Sequence, residues 1–289
     1  GNEKEYVAYV INQLSDDISV IDLSSFEVID TIKTGSYPTG VFLEEGKLYV
    51  ANGGDGTVSI IDMITHKQKI LRVGNDLQDV IVMNKKVYTS VKDKGVVRII
   101  DPITQVIEEI PNIDSPTDML TDGTMIYVLS EAEGEVIMIN PALDKIAKKI
   151  DVGARPRSMA LSKEKQFLFV TNVGDDTLSV IPTKLLKETI TIPVSAEPAG
   201  ISVMPDEKFI FVASTENNQL DVISLVKEEK IGIVEVGLSP VAIERSGNML
   251  LVANYVGQTI SVIDINKLKE IASIKVGLGP VAMVVGEKE

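Results

Sequence analysis

The chain has 289 residues, 44% of them hydrophobic, and 28 basic against 42 acidic side chains give it a formal net charge of −14. That balance argues against a nucleic-acid partner, whose phosphates are held largely by Lys and Arg, and against adsorption on an anionic membrane. The lack of cysteine excludes disulfides, Cys-ligated zinc, iron–sulfur clusters and a thiol nucleophile, and no apolar run approaches the roughly 18 residues of a transmembrane helix.

In chain order, one short apolar tract recurs: Ala8 to Asn12, Leu48 to Asn52, Val87 to Val91, Ile126 to Ser130, Leu168 to Asn172, Ile210 to Ser214 and Leu250 to Asn254. Each copy begins 39 to 42 residues after the last, the signature of a repeat architecture. An alternating strand follows each tract, as in Val58-Ser59-Ile60-Ile61-Asp62 and Ile260-Ser261-Val262-Ile263-Asp264. The two are joined by hairpin signals such as Asp55-Gly56 and Glu133-Gly134. A third, shorter strand comes next, as in Ile271 to Val276, and a fourth follows a Gly and a Pro, as in Pro38 to Val41, Pro198 to Ile201 and Pro280 to Met283. A helical turn is expected near Thr183 to Lys187, where Leu185 and Leu186 interrupt the pattern.

A sheet of four short strands cannot bury both faces alone, and radial stacking around a channel solves this. Strands are named A to D from the channel outward. The Pro-bearing strand then begins the next blade, so the chain starts at a strand B and its last strand, near Pro280 to Val285, is a strand A. The sequence therefore predicts an all-β chain, residues 1–289, folded as one seven-bladed β-propeller of four antiparallel strands per blade. One blade closes with three N-terminal strands and one C-terminal strand, and Val281, Met283 and Val285 are expected to be buried between blades.

The Tyr-Val-Ala-Asn tract (Tyr49 to Asn52), the Thr-Val-Ser-Ile-Ile-Asp strand (Thr57 to Asp62) and the Val-Gly-x-x-Pro turn (Val236 to Pro240) resemble YVTN-family propeller repeats over essentially the whole chain. The resemblance implies an extracytoplasmic or cell-surface protein. The start, Gly1-Asn2-Glu3-Lys4-Glu5, then reads as following a removed leader. That repeat is also similar to the haem d1 propeller of nitrite reductases and, more distantly, to propeller lactonases. The family motif is architectural and supplies no catalytic residue.

The Asp or Asn closing strand C (Asp22, Asp62, Asp101, Asn140 and Asp264) suits an Asx turn. The lone histidine, His66, falls in an outer turn, away from the channel where haem ligation or most hydrolytic chemistry would need one. No cofactor and no metal are therefore expected. Ten acidic residues gather in the loops between strands B and C: Asp16, Asp17, Asp55, Asp93, Glu131, Glu133, Glu135, Asp175, Asp176 and Glu216. They suit a solvated rim or a docking face for a basic partner. Lysines, including Lys85, Lys86, Lys163, Lys165, Lys184, Lys187, Lys227 and Lys230, are expected on the opposite face.

The residues flanking the proline of strand A break the repeat, and the proline itself is replaced by Gln78 in one blade. Tyr37, Asp79, Asp118, Arg155, Arg157 and Glu197 are expected to converge at that end of the channel as a ligand site. Asp118, where other blades have Gly40 or Gly200, is expected to pair with Arg155 or Arg157. The expected protein is a monomeric, non-catalytic binding or scaffold module for a protein or small-molecule partner. The alternative is a lactonase-like hydrolase using carboxylates at the channel mouth, with or without a divalent metal.

Overall fold

The computed structural model describes residues 3–289 except 75, 165 and 185–187. The turn expected at Thr183 to Lys187, and Lys165 among the lysines, thus lie wholly or partly outside the described residues.

The chain forms strands β1 (Tyr6–Asn12), β2 (Asp17–Asp22) and β3 (Glu27–Lys33), then six runs of four. These are β4 (Pro38–Glu44), β5 (Lys47–Asn52), β6 (Thr57–Asp62) and β7 (Gln68–Arg72); β8 (Leu77–Met83), β9 (Lys86–Val91), β10 (Val96–Ile100) and β11 (Ile107–Ile110). Next come β12 (Pro116–Thr121), β13 (Ile126–Ser130), β14 (Glu135–Asn140) and β15 (Lys145–Asp151); β16 (Pro156–Leu161), β17 (Phe167–Asn172), β18 (Thr177–Pro182) and β19 (Ile190–Pro193). The last are β20 (Pro198–Val203), β21 (Phe209–Ser214), β22 (Gln219–Ser224) and β23 (Glu229–Glu235); β24 (Pro240–Ser246), β25 (Met249–Asn254), β26 (Thr259–Asp264) and β27 (Lys269–Lys275). A final strand, β28 (Pro280–Glu287), pairs antiparallel with β1 from Tyr6↔Glu287 to Asn12↔Pro280 and completes the first blade in the order β28-β1-β2-β3. The seven four-stranded sheets and the closure match the sequence expectation. A short 3-10 turn at Lys92–Lys94, which the sequence reading did not anticipate, sits between β9 and β10.

Alternation along strands B and C puts apolar side chains on both faces of every blade, and each face packs on a neighbour. Seven hydrophobic clusters result, one per blade boundary. Leu71, Val58 and Ala51 of blade 2 meet Val80, Val87 and Ile100 of blade 3, for example. Met283 of β28 is buried against Leu251 and Ala253 of blade 7. Val285 on the same face and Val281 on the other are only half-buried, which corrects the expectation of full burial.

The asparagine ending strand B is fully buried in four blades, where it ties strand B to strand C. The Nδ2 groups of Asn12, Asn52, Asn172 and Asn254 each donate to a serine of strand C: Ser19, Ser59, Ser179 and Ser261, all at 2.9 Å. Blade 6 replaces the pair with Ser214 and Asp221, and the Asp221 carboxylate accepts the Ser195 N–H at 2.7 Å. Blade 3 uses Arg98, which donates to the Val73 carbonyl at 2.7 Å. The residues differ, but a polar link from strand C to the loop beside it is kept in both.

The aspartates closing strand C make the expected Asx turns. Asp62 accepts the Ile64 and Thr65 N–H groups, and Asp101 those of Ile103 and Thr104. These bonds favour the charged form and hold both carboxyls below their ordinary range.

Candidate functional site

The innermost strands β4, β8, β12, β16, β20, β24 and β28 line the channel, and each begins at its mouth. The first residue of each faces the last residue of strand B: Pro38↔Asn52, Leu77↔Val91, Pro116↔Ser130, Pro156↔Asn172, Pro198↔Ser214, Pro240↔Asn254 and Pro280↔Asn12. Leu77, not Gln78, therefore stands where the other blades have proline. The correction moves Asp79 to the second position after the ring, level with Gly40, Asp118, Ser158, Gly200, Ala242 and Ala282. A bulge just inside each strand start conceals this register.

The residue before each strand start is left-handed: Tyr37 (φ 51°), Asp76 (58°), Ser115 (48°), Arg155 (49°), Glu197 (52°), Ser239 (57°) and Gly279 (63°). Six of these seven are not glycine, in a region that L-residues enter sparingly. Side chains from the preceding B–C loop hold three of them in place. Asp16 accepts the Tyr37 N–H at 2.8 Å, Asp176 that of Glu197 at 3.1 Å, and Asn218 that of Ser239 at 2.9 Å. Asp55 and Asp175 likewise accept the N–H groups of Ser36 and Ala154, and Glu131 pairs with Lys92 at 2.8 Å. Much of the acidic rim is thus engaged in building the mouth.

A cavity of about 590 Å³ fills the channel, and Asp79, Asp118, Arg155 and Arg157 line it. Tyr37 and Glu197 are exposed on the rim instead of in the cavity wall. The Tyr37 hydroxyl meets that of Tyr255, which also donates to the Gln13 Oε1 atom at 2.8 Å. Glu197 lies near enough to Arg157 for its charge to be felt there.

The expected pairing of Asp118 with an arginine does not occur. Asp118 hydrogen-bonds to Asp79 of the preceding blade, and its Oδ2 accepts the Met159 N–H of the following blade at 3.0 Å. Asp79 repeats the arrangement: its Oδ2 accepts the Met119 N–H at 2.9 Å and its Oδ1 the Val80 N–H at 2.8 Å. Sequence register explains the outcome, because two aspartates at one position of adjacent blades are closer to each other than either is to a mouth arginine. Both sit deep in the wall with one edge on the cavity. Burial pushes Asp79 up to about 6. Burial and then the neighbouring Asp79 charge raise Asp118 well above the usual carboxylate range. Two carboxyls this close share a proton and carry one charge between them.

Arg155 and Arg157 form no ion pair among the described residues. Among the described residues the Arg157 side chain donates only to Thr215 Oγ1, at 3.5 Å; burial, against the opposing charge of Glu197 and with that of Arg155, lowers its affinity for its proton.

One cavity residue escaped the sequence reading. Glu244 lies on β24 opposite Leu251, three strand-B residues below the mouth ring, so about 10 Å deeper at the usual rise. The same level elsewhere holds Phe42, Ile81, Leu120, Ala160, Ser202 and Val284. Comparing that column would have singled out the one ionisable member. Burial pushes the Glu244 carboxyl up to about 7.

His66 lies in an outer turn, half exposed, with Nδ1 3.6 Å from Asp30 Oδ2. Among the described residues no group of three or more His, Asp or Glu side chains is placed to hold a metal ion.

No family model matches the chain, and comparison with curated protein sequences finds no match. Solved structures do resemble it. Hydrazine synthase of Kuenenia stuttgartiensis matches with a TM-score of 0.78 at 16% identity, over 87% of this chain and 90% of that one. A functionally unknown protein from Desulfotomaculum acetoxidans matches with 0.80 at 12% identity, over 98% and 99%. Apo AztD from Citrobacter koseri matches with 0.72 at 14% identity, over 100% and 99%. At such identities the likeness is one of fold, and the chain is a seven-bladed β-propeller.

Proposed function

We propose that the protein is a non-catalytic binding propeller of the YVTN type, acting outside the cytoplasm, whose channel takes a small polar ligand with an anionic group. The observation that supports this reading is the pair of guanidinium groups, Arg155 and Arg157, on one side of a 590 Å³ cavity with no carboxylate in ion-pair contact among the described residues. Neighbouring like charges with no carboxylate in direct contact favour an anion, even with Glu197 and Glu131 nearby, and a guanidinium fork suits a carboxylate or phosphate.

A carboxylate-based hydrolase finds less support. Three of the four oxygens of the Asp79–Asp118 pair already accept backbone N–H groups, which fixes them as part of the wall. The test is calorimetric titration of small carboxylates and phosphates into the wild-type protein and into Arg155→Ala/Arg157→Ala. Binding that the double variant loses, with its melting temperature kept, supports the reading. Equal binding by both proteins, or none by either, ends it.

A further inference from the structure

The cavity is electrically lopsided along its axis. Its basic lining residues, Arg155 and Arg157, sit at the mouth, beside Glu131, whose carboxylate is paired with Lys92. Below them come the Asp79–Asp118 pair and then Glu244. Glu244 makes no hydrogen bond and no ion pair among the described residues, and the charge it feels is that of Arg245, the next residue of its own strand. Arg245 is exposed and donates to the Gly247 carbonyl at 2.9 Å. The level around Glu244 is otherwise Phe, Ile, Leu, Ala, Ser and Val, with no residue of opposite charge.

A half-buried carboxylate without a partner is destabilising. It serves no packing purpose that the apolar residue of a neighbouring blade would not serve better. Asp22, by contrast, shows what this chain does with a structural carboxylate, binding it to Ser24 N–H, Ser24 Oγ and Lys288 Nζ at once. Glu244 is the exception, and the space it faces is the cavity.

We propose that the channel ligand is a zwitterion, its anionic end held by Arg155 and Arg157 and its cationic end, an ammonium or guanidinium group, seated on Glu244. This rests on the reading of the arginine mouth given above. The separation of the two levels, about 10 Å along the strands, asks for a ligand whose opposite charges are several bonds apart. An α-amino acid is too short to reach both.

A chain-length series tests it: ω-aminobutanoate, ω-aminohexanoate and ω-aminooctanoate, with hexanoate and hexylammonium as single-charge controls, titrated calorimetrically into the folded full chain. The expected result is that ω-aminohexanoate or ω-aminooctanoate binds at least ten-fold tighter than hexanoate, and that Glu244→Gln removes this advantage. Glu244→Asp, which keeps the charge but withdraws it by one methylene, should weaken the same probe at least three-fold and serves if the glutamine variant does not fold. Hexanoate binding that depends on the two arginines, with no gain from the amino group or a gain that survives Glu244→Gln, overturns the zwitterion and leaves the anion site standing. Failure of hexanoate and of every amino acid to bind better to wild type than to Arg155→Ala/Arg157→Ala overturns both.

Discussion

Asp79 and Asp118, at the same position of adjacent blades, hydrogen-bond carboxyl to carboxyl across the blade boundary. Burial, and for Asp118 also the neighbouring Asp79 charge, makes both bind protons more tightly in the folded chain than in the unfolded one, where an aspartate titrates near 3.9. The folded state holds the extra protons between about pH 4 and the folded values, which begin at about 6 for Asp79. Stability from the pair is thus complete below pH 4 and is lost as pH rises through 6 and above. For Asp79 alone, with a rise of about two pH units at about 1.36 kcal/mol each, the loss is roughly 3 kcal/mol, or several degrees in Tm for a chain of this size. Thermal melts at pH 5 and pH 8 should show that drop, and Asp118→Asn, whose amide donates to Asp79 without a titrating proton, should flatten it. An unchanged slope in the variant would show that the pair does not share a proton.

Gly40 stands against the same pair. A Cβ there would lie 2.3 Å from Asp79 Oδ1 and 2.9 Å from Asp79 Cα. The backbone atom cannot step aside, so Gly40→Ala should cost about 1–3 kcal/mol. Adding Asp79→Gly should return part of that loss. Denaturant melts of the two single variants and the double variant measure the coupling, and strict additivity would mean that the two residues do not meet.

Asn52 joins β5 to β6 by donating to Ser59 Oγ and Thr57 Oγ1, and it accepts the Gly35 N–H at 3.1 Å. Asn52→Ala leaves the buried Ser59 Oγ and the Gly35 N–H without this partner, while Thr57 keeps Asp55, and a loss of about 1–3 kcal/mol follows. Asn52→Asp should be worse at neutral pH, because it buries a charge facing hydroxyl groups instead of a cation. A chemical-denaturation midpoint above that of Asn52→Ala would contradict this.

Removal of residues 278–289 takes away β28, the partner of β1 along its whole length, together with the buried Met283. Full burial of one such side chain is worth about 1.5–3 kcal/mol, and the exposed edge of β1 adds seven residues without a ladder partner. The truncated chain should lose its cooperative melt. A melt within a few degrees of the full chain would refute the closing role.

The blades, their number and the closure were legible because each repeat states its strands in the same order, and the Asn–Ser pairs keep time even where the loops vary. The channel was legible only in part. The bulge after each strand start hid the alignment of Asp79 with Asp118, since proline is missing from β8 and Gln78 was the natural substitute by count. Opposite charge points Asp118 to an arginine, whereas spatial register points it to Asp79. Glu244 lies outside the stretch beside the prolines where the repeat visibly breaks. Its signal lay in a column three ladder steps further in, where one blade alone has an ionisable side chain.

The pairing of β1 with β28 also sets the order in which the ring can form. Tyr6 meets Glu287, so the contact joins segments separated by nearly the whole chain, whereas the six other blades are hairpin meanders made of consecutive strands. Local blades can assemble as they are synthesised. The first blade stays one strand short, with the inner edge of β1 bare, until β28 has been made. Contacts of such long range are the slow ones to form, and an unpaired strand edge is open to the wrong partner in the meantime. During synthesis, then, the first of the seven blades to be started is the last to be finished, and its vulnerable interval lasts as long as translation of the six blades that follow it.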